Sequence, residues 1–529
     1  MPRRRSTLWF LLAAAVACSA PPRAPAAAAP PWVAIAPRLV EHVRVLSSDR
    51  FEGRAPGTRG EELTIAYLQD ELRKLRLAPE VQPVPLVAIG SRASLAIDGK
   101  AWRSGEDFVA WSYGTSPDVH LERSELVFVG YGVVAPEHAW DDFKDVDLRG
   151  KTAVFLVGDP PVPDPKDPTR LDDATFRGRA MTYYGRWRYK YEIAAKKGAA
   201  AALIVHETGP AGYGWNVVAG GATHERYEIA TAEARAAHVP IEGWIHESRA
   251  RELFEDFDRA KASALDRAFR PAPIRAARAD LEVRLTAREL VSRNVVAKLP
   301  GSDPRLRDEH VMYSAHWDHF GKSAEGVFHG ALDNASGVAW LLETARLYRE
   351  LPRAPRRSIV FAAFTAEEQG LLGSKHYASQ PHDRVVADIN MDIMNPWGKT
   401  RAIVSVGDGE TTMDEPLREE AAKQGRRVVP DPEPEKGYYF RSDHYELVKT
   451  GVPALSFLHP GAEWIGKPPD FGAKKRAEYV ARMYHQPDDV IHDDWDLAGA
   501  AEDVALLFEV GRRVADADRP PAFKDRAAR

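Results

Sequence analysis

Residues 358–364, SIVFAAF, are small or apolar at seven successive positions, and the run stops at Thr365-Ala366-Glu367-Glu368. Side chains alternate between the two faces of a strand, so such a run belongs where both faces are covered. HVMYSA at 310–315, VVADINMD at 385–392 and VPALSF at 452–457 have the same texture, and GVAWLLETARLY at 337–348 has helical spacing between the first two runs. Strand, helix and strand in this order predict an α/β fold with a mixed, mostly parallel central sheet flanked by helices. Ligands of such sheets bind beyond the carboxyl ends of the strands.

At 529 residues the chain exceeds one ordinary core. Leu39, Val40, Val43 and Leu46 mark a first core helix, and Ile65, Leu68, Leu72 and Leu75 a second. GRAPGTRG between them has neither a preceding strand nor the lysine of a phosphate loop, and reads as a plain loop. From 116 to 276 the texture changes to short apolar strands such as LVFVGYGV and KTAVFLVGDPP, with a helix running through glycine into a strand in KYEIAAKKGAAAALIVHE. The expected division is an export signal at 1–18, a Pro/Ala linker at 19–37, the first part of the main domain at 38–115, an inserted β-rich module at 116–276, the site-bearing domain at 277–516, and a tail at 517–529.

The export reading rests on Arg3, Arg4 and Arg5 ahead of an apolar stretch from Leu8 to Ala17, too short to span a bilayer. Ala15-Val16-Ala17 offers a cleavage site, and Cys18, the sole cysteine, stands where a bacterial lipoprotein carries its lipid, with Ala15 in place of the usual leucine. Periplasmic, secreted and lipid-anchored destinations all stay open, and Cys18 is the one expected membrane attachment. A single cysteine excludes an internal disulfide. Seventy-two basic and 77 acidic side chains, a formal charge of −5 without single-sign blocks, argue against a nucleic-acid partner.

Chemistry gathers at the strand ends. HVMYSA runs into His316-Trp317-Asp318-His319, SIVFAAF into Glu367 and Glu368, and VVADINM into Asp392; GALDNASGV places Asp333 before a helix, and MYHQPDD adds His485. Alone, each has an ordinary reading as a satisfied histidine or a helix cap. Together they concentrate carboxylates that are costly to bury without a cation. Two histidines and three carboxylates, with no thiolate, suit a catalytic zinc or similar divalent ion.

These motifs resemble the co-catalytic di-zinc aminopeptidases of metallopeptidase family twenty-eight, which also holds glutamate carboxypeptidases, glutaminyl cyclases and the inactive transferrin receptors. The resemblance runs from Leu39 to about Val514. It implies the zinc exopeptidase fold, with 116–276, chiefly through GYGVVAPEHAWDDFKDVDLRGKTAVFLV, similar to a protease-associated domain. It further implies two Zn2+ ions, His316 and Asp392 on one, Glu368 and His485 on the other, and Asp333 bridging. Glu367 would be the base for a metal-bridged water, Asp318 would orient His316, and Tyr484 would donate to the developing oxyanion. Arg441, Ser442, Asp443 and His444 of FRSDHYELVKTGVPALSF would line the substrate side. Trp317, where a smaller or tyrosine-like residue is common, and Val490, where threonine is frequent, depart from the pattern and bear on substrate preference.

The expected activity is release of N-terminal residues from peptides or proteins with a free N-terminus. Carboxypeptidase or glutaminyl cyclase activity on the same scaffold, and a binding protein that has lost catalysis, are the alternatives. HExxH and GxSxG motifs are both absent from the sequence.

Overall fold

The computed structural model describes residues 34–222, 224–380, 384–458 and 461–524. The expected export signal, Cys18 and nearly all of the expected linker lie outside them. Along the chain, α1 (Ile35–Leu46) and α2 (Arg59–Lys74) lead into a long strand β1 (Pro79–Ile97), followed by β2 (Phe108–Trp111), β3 (Asp118–Phe128) and β4 (Thr152–Leu156). Next come α3 (Trp187–Lys196), β5 (Ala201–His206), β6 (Ile241–His246) and the 28-residue strand β7 (Ala272–Leu299). The remainder holds β8 (Glu309–His316), α4 (Ser336–Glu350), β9 (Ser358–Phe364), α5 (Leu372–Ser379), β10 (Arg384–Met391), α6 (His444–Lys449), β11 (Ala454–Phe457), α7 (Phe471–Arg482) and α8 (Ala498–Asp516). No helix among the described residues is long and apolar enough to cross a membrane.

One sheet passes through both lobes in the order β11-β10-β8-β9-β7-β3-β4-β5-β6-β2. In the first lobe β9, β8, β10 and β11 are mutually parallel, and β7 joins β9 antiparallel. Both faces of the parallel strands are covered, as their uninterrupted apolar runs require. Val311, Tyr313, Ile359, Phe361 and Ala363 enter the core shared with α1, α2, α4 and α8. The alternate residues Met312, Val360, Ala362 and Phe364 face Tyr377 of α5 and Leu447 of α6.

The chain leaves β8 for β9 on one side and returns for β10 on the other. Strand β8 is therefore the point at which the winding reverses, and the crevice beyond its carboxyl end is where such sheets bind ligands.

The second lobe repeats this construction. Strands β3, β4, β5 and β6 are parallel, with β2 antiparallel at the edge. Its cores extend past the expected 116–276 segment, because Leu95, Ile97, Trp102 and Phe108 join from one side and Ala277, Ala279, Leu281 and Val283 from the other. The reason is the β1–β7 ribbon, paired from Pro79↔Ala297 to Ile97↔Ala279, which carries one pair of strands out of the first lobe into the second. No break in secondary structure marks the crossing, and composition alone draws the module too short at both ends.

In the second lobe His238 lies between two buried carboxylates, Nε2 2.7 Å from Glu228 and Nδ1 2.7 Å from Glu242. Burial pulls its pKa down, but the two glutamates outweigh this and raise it from 6.5 to about 9. A raised folded-state pKa gives stability that is fully present below about 6.5 and lost as pH rises through about 9. Urea unfolding at pH 6.5 and pH 9.5 should show the wild type losing on the order of 2 kcal/mol more than His238→Gln. Parallel pH dependence in the two proteins would remove this role.

Candidate metal centre

The parallel strands β8, β9 and β10 end side by side, which brings His316, the Glu367–Glu368 pair and Asp392 to one edge. His316 closes β8, and its Nε2 lies 3.0 Å from Asp392 Oδ1, 3.3 Å from Asp333 Oδ1 and 3.8 Å from Glu367 Oε2. His485 arrives from the segment after α7, with Nε2 3.1 Å from Glu368 Oε2 and 3.5 Å from Asp333 Oδ2. Asp333 thus turns one oxygen toward each histidine. Two donor groups result, His316 with Asp392 and His485 with Glu368, joined by Asp333.

Among the described residues, two sets, His316–Asp333–Glu368 and His316–Glu367–Asp392, have ligand atoms all within 4.8 Å of one another. The donor chemistry fits divalent zinc: imidazole and carboxylate only, buried and converging on a small space. His485, with a fifth of its side chain exposed, marks the side open to the cleft.

The electrostatics call for a cation. Burial pushes Glu367 well above the usual carboxylate range, and Asp392, Glu368 and Asp443 add to it against the pull of His316. Burial likewise raises Asp392. Glu368 behaves differently: burial and Asp333 push it up, but His485 and His319 prevail and hold it at about 2. Burial would lower His316 and His485, yet the carboxylates lift His316 well above its usual value and His485 to about 10.

Local backbone separates the adjacent glutamates. Ala366 takes the left-handed conformation, φ 52°, just after β9. The Glu367 amide then donates to Asp318 Oδ1 at 3.1 Å. Asp318 contacts His316 Nδ1 through its backbone carbonyl at 3.2 Å and its carboxylate at 3.7 Å. Asp318, the expected orienting aspartate, therefore holds Glu367 and His316 together. Tyr484 stacks on His485, 3.7 Å between ring centres, and lines the cavity with Glu367 and Glu368.

Of the four residues expected on the substrate side, the structure places Arg441 alone on the cavity. Ser442, Asp443 and His444 are fully buried, which corrects the expectation for all three. They form the turn into α6, which is pressed onto β10, and Ser442 Oγ donates to Asn390 Oδ1 at 2.8 Å. Burial lifts Asp443 to about 7 and lowers His444 to about 3.

Three contributors have no role in the sequence reading. His319, at the end of the HWDH run, places Nδ1 2.5 Å from Glu368 Oε1. Asp489 accepts the backbone amides of Leu332 and Asp333, each at 3.0 Å, and so fixes the bridging loop. Arg54, from the loop read as featureless, is completely buried. Its Nε donates to the Trp317 carbonyl, Nη1 to Leu46 and His329, and Nη2 to Gly330, at 2.6–2.9 Å. It ties the His316 and Asp333 segments to the N-terminal helices. The signal for it was an arginine inside a glycine-rich stretch between two core helices; no local pattern announces the partners.

Beside the donors the cavity has one apolar wall, of Ile393, Leu458, Val480 and Tyr438, and Arg441 and Arg476 line it as well. On the other side it opens into a cleft between the lobes.

Residues 294–508 match the model of peptidase family M28. Aminopeptidase NAALADL1 of Mus musculus is 40% identical over 111 residues, 19% of this chain and 14% of its own length. Aminopeptidase YwaD of Bacillus subtilis (strain 168) is 30% identical over 188 residues, 34% of this chain and 36% of its own. The match thus spans about a seventh of the mouse relative and about a third of the bacterial one. In fold, the chain is similar to the aminopeptidase from Aneurinibacillus sp. strain AM-1, with a TM-score of 0.54 and 20% identity over 91% of this chain and 93% of that one.

Replacing Asp489 by Ala removes the acceptor of the Leu332 and Asp333 amides and frees the bridging carboxylate to turn. Zinc affinity, measured by competition with a chelator, should fall by about 10–100-fold while the circular dichroism of the folded protein is retained. Unchanged affinity would show that the loop is held without Asp489.

Proposed function

We propose that this chain, which belongs to peptidase family M28 over residues 294–508, is an exported zinc aminopeptidase that releases the N-terminal residue of peptides. The observation that carries this reading is Asp333, with one oxygen facing His316 and the other facing His485. That arrangement suits two zinc ions, the first held by His316 and Asp392, the second by Glu368 and His485, with Asp333 between them. Bound zinc supplies Lewis acidity, which lowers the pKa of a water in the site and polarises the scissile carbonyl.

The chain's own residues supply the rest. Glu367, fixed through its amide by Asp318, takes the proton of the attacking water and returns it to the leaving amine, breaking the peptide bond. Tyr484 donates to the oxygen on which negative charge develops. The apolar wall of Ile393, Leu458, Val480 and Tyr438 receives the side chain of the first residue. We read the second lobe as a protease-associated domain that narrows access to the cleft. We also read the N-terminal segment as an export leader, with Cys18 as the one candidate for lipid attachment.

Glu367→Gln should retain zinc and lose about 10²–10⁴-fold in kcat; near-normal turnover would remove the base role. Free, N-blocked and C-blocked peptides, assayed with and without chelator, test the class of reaction. Chelator-sensitive cleavage of the free and C-blocked peptides is expected, and cleavage of N-blocked but not C-blocked peptides would overturn the aminopeptidase reading.

A further inference from the structure

From Glu367 and His485 the cleft runs outward between the lobes, and its walls carry Arg186, Arg188, Arg226 and Arg441. The acids lining it among the described residues are Glu367 and Glu368, both belonging to the metal centre. Two of the arginines are engaged with the protein. Arg188 Nη1 donates to the Gly370 carbonyl at 2.8 Å, and the Arg226 guanidinium lies 3.5 Å over the Trp111 ring.

Arg186 is different. It is 7% exposed, its side chain has no hydrogen bond or ion pair among the described residues, and its Nε is buried without an acceptor. The cations bearing on it are Arg441 and Arg188; burial first, then these like charges, pull its pKa down to about 9. Arg441 approaches from the other lobe, its guanidinium 5.7 Å from the Tyr213 ring and 5.1 Å from the Tyr438 ring. Its Nη2 reaches the Ala211 carbonyl at 3.5 Å, and its Nε is also buried without an acceptor.

A guanidinium withdrawn from water without a counter-ion is costly. Arg186 is so placed, and Arg441, partly exposed, brings a second unused Nε–H to the same cleft from the other lobe. A carboxylate matches their planar fork. Position decides which part of a substrate would bring it. The apolar wall beside the metal centre takes the residue ahead of the scissile bond, so the departing portion extends past Glu367 into the interlobe cleft.

We propose that Arg186 and Arg441 form a carboxylate subsite for the portion of the peptide after the scissile bond, which selects short peptides whose second or third residue carries a carboxylate. This rests on the aminopeptidase reading above. The carboxylate has two sources, the C-terminus of a short peptide or an acidic side chain, and the substrates below separate them.

The full zinc-loaded chain is assayed for kcat/KM on leucyl-alanine, leucyl-alanine amide, leucyl-aspartic acid amide and leucine p-nitroanilide. Either the free acid or the aspartyl amide should exceed leucyl-alanine amide by about tenfold or more, a preference of the size one charge-assisted pairing gives. Preference for the free acid alone assigns the terminal carboxylate, and preference for the aspartyl amide assigns the side chain. In R186Q, and separately in R441Q, that ratio should contract to within about twofold. Three wild-type peptide values within twofold of one another would overturn the subsite whether or not a variant folds, as would ratios unchanged in both variants. Cleavage of the anilide together with equal peptide values would leave the aminopeptidase reading standing. No cleavage of any of the four would overturn that reading and the subsite with it.

Discussion

Repulsion among buried carboxylates is the constraint around which the first lobe is organised. Asp333, Glu367, Glu368 and Asp392 meet where β8, β9 and β10 end, with Asp318, Asp443 and Asp489 close behind. Nothing in that list is tolerable in a dry interior unless positive charge is placed among them. The fold places it at two distances. His316 and His485, both with raised pKa values, stand within contact of the acids, and Arg54 supplies a permanent charge one layer away. Arg54 spends its hydrogen bonds on carbonyls of the segments bearing His316 and Asp333, so charge compensation and loop placement come from one side chain. The remaining deficit is what bound zinc would fill.

What could be read from the sequence was whatever the chain encodes locally. SIVFAAF and HVMYSA are apolar at most positions because Val360 and Ile359, or Met312 and Val311, bury into opposite cores. Their carboxyl ends were predictable site positions because parallel strands align those ends. Asp333, Glu367, Glu368, Asp392, His316 and His485 followed from that rule together with the family resemblance.

What could not be read depends on contacts distant in sequence. Arg54 meets Trp317 and Gly330 more than 260 residues away, and Asp489 meets Leu332 and Asp333 more than 150 away. Ser442, Asp443 and His444 sit beside Arg441 in the chain, but a helix turn separates a side chain at the cleft from three beneath it. The boundary of the second lobe escaped for a related reason: β1 and β7 cross it without a turn.

The adjacent glutamates show how far environment can divide two identical side chains. Glu368 has two histidines in contact, and their attraction exceeds its burial cost, so its charged form is favoured. Glu367, one residue earlier, has His316 Nε2 at 3.8 Å, and burial with like charges raises its proton affinity. A ligand must hold its charge throughout, whereas a base must accept a proton and release it. Two carboxylates whose surroundings push their proton affinities apart are therefore suited to these separate roles. The left-handed turn at Ala366 makes the division structural, since it sends one glutamate toward His485 and leaves the other beside His316, anchored through its amide to Asp318.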